Sequence, residues 1–100
     1  MCGIIALAVS TTAKFPVSKF RKLLHESRIR GLHATGISFL NRDGNITTKI
    51  QPTPETEFEI PENLNDENTL IAISHTRYST SDLLFNQPIF SKEYAFVLNG

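Results

Sequence analysis

The chain has 100 residues, 40% hydrophobic and 20% charged, with ten basic side chains balanced by ten acidic ones. That length limits it to one small domain with room for a real core, and the cancelled charge supplies no field for nucleic acid or an anionic membrane surface. A single cysteine excludes an internal disulfide and agrees with a reducing, cytoplasmic setting.

Residues 3–9 form an uninterrupted apolar run, which predicts a strand buried on both faces. The run lacks a basic flank, is too short to span a bilayer and meets polar Ser10, Thr11 and Thr12, so it is neither a signal peptide nor a membrane span. Residues 18–30 read as a helix: Pro16 lies upstream, Val17, Phe20, Leu23 and Leu24 recur at helical spacing, and Gly31 ends it. Lys19, Arg21, Lys22 and Glu26 then form the solvated face, with His25 on a flank. Residues 35–40 and 46–51 predict two strands joined through Asp43-Gly44, a turn that needs positive φ.

Residues 52–68 hold three prolines and six acidic side chains without a basic one, which predicts a solvated surface loop. Residues 69–74 read as a buried strand ending at His75, followed by a loop over 76–88 and a last strand over 94–98. Phe20, Phe39, Tyr78, Phe85, Phe90 and Phe96 are read as core or loop packing. No residues have metal-ligand spacing and there is no glycine-rich phosphate loop, so no metal or cofactor is expected.

Three segments carry chemistry. Cys2 follows the initiator Met1, so removal of Met1 would leave a thiol and an α-amine on one residue. These groups titrate near ~8.5 and ~7.7–8.0, both close to physiological pH, and could serve as nucleophile and base together. A lone cysteine is more often a small buried hydrophobe beside a strand, and from Cys2 alone that reading stands first, with the nucleophile second. Arg77, just past the end of the predicted strand, offers a planar fork for a carboxylate, beside the hydroxyls of Ser79, Thr80 and Ser81. Asn99 and Gly100 form either a turn or a pair of N–H donors for an oxyanion.

In order, Met1-Cys2-Gly3-Ile4, Arg30-Gly31-Leu32-His33-Ala34-Thr35-Gly36-Ile37, His75-Thr76-Arg77-Tyr78-Ser79-Thr80, Asn86-Gln87-Pro88 and Asn99-Gly100 resemble the motifs of class II glutamine amidotransferase domains. These belong to the N-terminal nucleophile (Ntn) hydrolases. The His-Thr-Arg-Tyr-Ser-Thr segment looks most like the branch of amidophosphoribosyltransferase (glutamine phosphoribosylpyrophosphate amidotransferase) and glucosamine-6-phosphate synthase; asparagine synthetases differ there.

The resemblance implies an α+β fold, the N-terminal half of an αββα sandwich with antiparallel sheets, acting on L-glutamine. It assigns Cys2 as nucleophile, Arg77 to the substrate α-carboxylate, Thr80 and Tyr78 to substrate binding, and Asn99 and Gly100 to the oxyanion hole. Arg30 and Gly31 would lie on a loop closing over the site. His33 departs from the usual Asp or Glu at its position, and Ser81 stands where His or Gly is common. The family pattern continues beyond its oxyanion-hole glycine with a second set of strands and helices. The expected partner is therefore a complementary half-domain or a synthetase-type acceptor domain. The alternative is a catalytically inactive remnant acting as a binding or regulatory module through an exposed sheet edge or face.

Overall fold

A computed structural model describes residues 2–78 and 86–98. The elements run β1 (Gly3–Ala8), α1 (Val17–Ser27), a 3-10 turn (Arg28–Arg30), β2 (Ala34–Asn41), β3 (Ile46–Gln51), a second 3-10 turn (Glu55–Glu57), β4 (Thr69–Arg77), β5 (Ile89–Phe90) and β6 (Ala95–Phe96). Four strands build one antiparallel sheet in the order β1-β4-β2-β3, and β5 pairs with β6 as a separate antiparallel ribbon. The chain is thus an α+β fold with antiparallel sheets. No helix among the described residues is long and apolar enough to cross a membrane.

One face of the sheet carries the core. Ile37, Phe39 and Ala72 from the central strands meet Phe20 of α1, Phe15 before it and Leu64 from the long loop, with Ile5, Leu7 and Val9 packed against them. In α1 the buried positions are Phe20, Leu24 and Ser27, an i, i+4, i+7 stripe. Leu23, grouped with that stripe in the sequence reading, lies outside it and is exposed. No side chain of α1 caps its first turn; the Asp66 carboxylate instead accepts a hydrogen bond from the Val17 N–H at 3.1 Å, where a negative charge also suits the helix dipole.

The expected double-sided burial of β1 is corrected. β1 is an edge strand whose burial alternates, with Ile5 and Leu7 turned to the core and Ile4 41% exposed. Helix α1 covers one face; on the other, residues 86–98 reach the sheet around Gly36 and His75. The same open face holds a shallow apolar pocket of about 170 Å³ between Leu40, Ile46, Ile71, Ile73 and Ala95.

The hairpin between β2 and β3 forms where Asp43-Gly44 predicts it. Gly44 has φ +88°, its N–H donates to Asn41 O at 2.9 Å, and the Asn41 N–H closes the loop on Asn45 O at 3.0 Å. The acidic stretch 52–68 is less solvated than its composition implies. Leu64 is buried, and Phe58 and Ile60 lie on the core while the intervening carboxylates face outward, so the loop serves as a lid over the apolar layer. At the other end, the expected strand over 94–98 shrinks to the exposed two-residue β6. Its partner β5 has no counterpart in the sequence reading, because two residues carry no period.

Candidate active site

The candidate site forms where β1 begins and β4 ends. Antiparallel pairing sets Gly3 opposite Thr76, so Cys2 and Arg77 are the next residues at the same end of the two strands. β4 runs past the expected end at His75 through Thr76 to Arg77, so Thr76 and Arg77 stand on a strand rather than in the expected loop. A strand fixes them more firmly than a loop would: His75 and Arg77 share one face and Thr76 points to the other.

The turn after α1 is locked to this strand end by close backbone packing. A Cβ on Gly31 would lie 2.4 Å from the Arg77 carbonyl carbon and 2.4 Å from the Thr76 carbonyl oxygen. Gly31 has an extended φ of −164°, so it is there for closeness and not for a left-handed turn. A Cβ on Gly3 would likewise lie 2.4 Å from Thr76 Oγ1 and 2.9 Å from Ser27 O. Around these glycines, Thr76 Oγ1 donates to Ser27 O at 2.9 Å, the Gly31 N–H to Arg28 O at 3.1 Å and the His33 N–H to Arg77 O at 2.9 Å.

Cys2 is 8% exposed and lines a groove of about 500 Å³ with Glu26, Ser27, Ile29 and Arg30 among its walls. The groove thus places a thiol beside one cationic and one anionic side chain. Arg77 is half-buried, and its Nη1 donates to Asn86 Oδ1 at 2.9 Å, which aims the guanidinium. Tyr78 is exposed and its ring lies 5.1 Å from that of His33, so His33 supports Tyr78 by ring packing.

His75 is buried on β4 with Nε2 3.1 Å from Leu98 O. Burial lowers its pKa from the ordinary 6.5; the bond to Leu98 opposes this and the Arg77 charge adds to it.

Of the residues expected at the site, Cys2, Arg30, Gly31, Arg77 and Tyr78 converge at this end of the sheet. Thr80, Asn99 and Gly100 lie outside the described residues, as does Met1. Ser27, Glu26 and His75 were not read as site residues. Glu26 is four residues from Arg30, a spacing that could have placed both on one helical flank. Ser27 carries no sequence signal, and His75, though it opens the His75–Thr80 segment, is given no role by its sequence. No protein-family model, no curated protein and no solved structure matches the chain.

Proposed function

We propose that the chain performs the glutamine-hydrolysing half-reaction of a class II glutamine amidotransferase, as the N-terminal half of an αββα Ntn sandwich working in the cytoplasm. The observation that carries this reading is the placement of the lone cysteine. Cys2 immediately precedes β1, beside the end of β4 that bears Arg77, in a groove shared with Arg30 and walled by a glycine-packed turn. A cysteine serving only as core filler has no need of that company.

Once Met1 is removed, the Cys2 α-amine takes the thiol proton and the sulfur attacks the carbon of the glutamine side-chain amide. Arg77 grips the α-carboxylate, Arg30 and Gly31 border the entrance, and Thr80 and Tyr78 hold the substrate. The Asn99 amide and the Gly100 N–H receive the oxyanion; one such donor contributes about 2.7–4 kcal/mol. The carbon–nitrogen bond then breaks, and the α-ammonium returns its proton to the departing ammonia, leaving a thioester on Cys2. Water, deprotonated by the α-amine, attacks the thioester; glutamate leaves and the thiol regains its proton. Ammonia passes to an acceptor on a synthetase-type domain or complementary half-domain.

The test is ammonia and glutamate release from L-glutamine, compared with Cys2→Ala. Turnover by the parent protein that Cys2→Ala abolishes supports the reading; equal turnover by both rejects it. A second reading, a non-catalytic binding module, draws on the open sheet face with its exposed Ile4 and Ile71. It predicts a folded protein whose Cys2 ignores glutamine analogues.

A further inference from the structure

The four-stranded sheet ends in two edges of different character. β3, at one side, carries Lys49 and is tied to segment 52–60: Lys49 Nζ donates to Glu59 O, and the Glu59 N–H donates to Gln51 Oε1 at 3.0 Å. A lysine and a covering segment are common guards against the addition of a further strand. β1, at the other side, holds no charged residue and no proline.

The β1–β4 pairing shows which backbone groups of β1 are already bonded. The Val9 N–H donates to Leu70 O at 2.9 Å, and opposed residues of an antiparallel pair alternate between bonded and non-bonded. In this register Gly3, Ile5 and Leu7 therefore exchange bonds with Thr76, Ser74 and Ala72. Ile4, Ala6 and Ala8 turn their N–H and C=O groups the other way, toward the open edge, and all three residues are exposed. No backbone hydrogen bond among the described residues reaches those groups. Leu23 and Ile29, both exposed, flank the edge across the groove that begins at Cys2.

This edge fits its own copy. A twofold axis through Ala6 sets Ala6 against Ala6 and Ile4 against Ala8 of the second copy, so every outward N–H meets an outward C=O. On the open face the bulk of Ile4 then lies beside a small alanine, and on the core face Ile5 lies beside Leu7. Charge agrees with the fit. Glu26 and Arg30 both stand in the groove wall, and the ten basic and ten acidic side chains of the chain cancel. Each copy thus offers its partner both signs without net repulsion. The guarded β3 edge blocks a head-to-tail pairing of β1 with β3, so association closes at two copies. We propose that β1 is the interface of a symmetric dimer, in which two copies of this chain join edge to edge into one continuous antiparallel sheet. The dimer does not depend on glutamine chemistry at Cys2.

Sedimentation equilibrium of the full chain across concentrations measures the dimer dissociation constant. Ala6→Pro removes the outward N–H at the twofold axis and leaves the ladder to β4 intact, a position where edge strands accept proline. The expected result is a dissociation constant raised by about tenfold or more. Should Ala6→Pro fail to fold, Ala6→Lys and Ala6→Glu decide the matter. Each sets like charges opposite one another and weakens its own dimer, whereas a mixture of the two pairs opposite charges and recovers association. A packing role for Ala6 alone gives no such recovery. Hydrogen exchange reads the register: the amides of Ile4, Ala6 and Ala8 gain protection as concentration rises, while those of Ile5 and Leu7 are protected throughout. A parent protein that stays monomeric at every concentration overturns the dimer and leaves the edge to a different chain. A dimer indifferent to every Ala6 variant overturns β1 as its interface.

Discussion

Gly31→Ala adds one methyl group at the tightest backbone contact near Cys2. The new carbon would stand 2.4 Å from the Arg77 carbonyl carbon and 2.5 Å from the Thr76 carbonyl carbon, where carbon atoms settle at about 3.5–4.0 Å. Both obstacles are backbone in β4, so relief requires the Ser27–Gly31 turn and the strand end to part by about 1 Å or more. Overpacking of this kind costs about 1–3 kcal/mol. Because φ at Gly31 is −164°, alanine adopts the backbone without strain and recovers about 0.4–1 kcal/mol by restricting the unfolded chain. The net loss is about 1–2 kcal/mol, read as a lower urea midpoint and a Tm reduced by roughly 4–8 °C per kcal/mol. Gly44→Ala is the matched control. Nothing lies within 4 Å of its added carbon, but φ is +88°, so it loses about 1–2 kcal/mol through left-handed strain alone. Both variants destabilise, but Gly31→Ala also slows Cys2 alkylation by a diazoketone analogue of glutamine while Gly44→Ala leaves it unchanged. A Gly31→Ala protein as stable as the parent would refute the close-packing argument.

Three further outcomes are expected. Phe20→Ala empties the centre of the core and lowers unfolding free energy by about 3–5 kcal/mol, measured by urea titration. Arg77→Lys keeps the charge but loses the planar fork, so the glutamine analogue needs about tenfold more reagent for half-saturation. His75 gives a pH signature: its folded pKa lies below 6.5 through burial, with Arg77 the charged group beside it and uncharged Ile4 and Gly36 as its cross-strand neighbours. The unfolded chain therefore binds a proton that the folded chain refuses, so this contribution is full above about pH 6.5 and stability falls as pH drops through that value. Urea midpoints for the parent and His75→Gln should diverge across that window; parallel profiles would contradict the burial of a neutral imidazole.

Much of the frame was legible because its signals are local. The helical stripe of Phe20 and Leu24, the Asp43-Gly44 turn and the apolar run of β4 each declare themselves within a few residues. Burial was harder, because it depends on partners distant in sequence. The run from Gly3 to Ala8 reads the same whether one face or two are covered, and Leu64, set among acidic residues and prolines, gives no sign that it closes the core. The site divided in the same way. Cys2, Arg30, Gly31, Arg77 and Tyr78 lie in recognisable segments and meet at one sheet end. Ser27 and His75 act through a backbone carbonyl in each case, and no residue pattern announces a contact with a carbonyl 49 or 23 residues away.

The central claim is that Cys2 is a nucleophile built to receive glutamine, and peptide mapping of the protein after treatment with the diazoketone analogue tests it most directly. The expected product is a Met1-free N-terminus carrying one adduct on Cys2, suppressed by excess L-glutamine and weakened by Arg77→Lys. A retained Met1, or an unmodified Cys2 in a folded protein at saturating reagent, would contradict it.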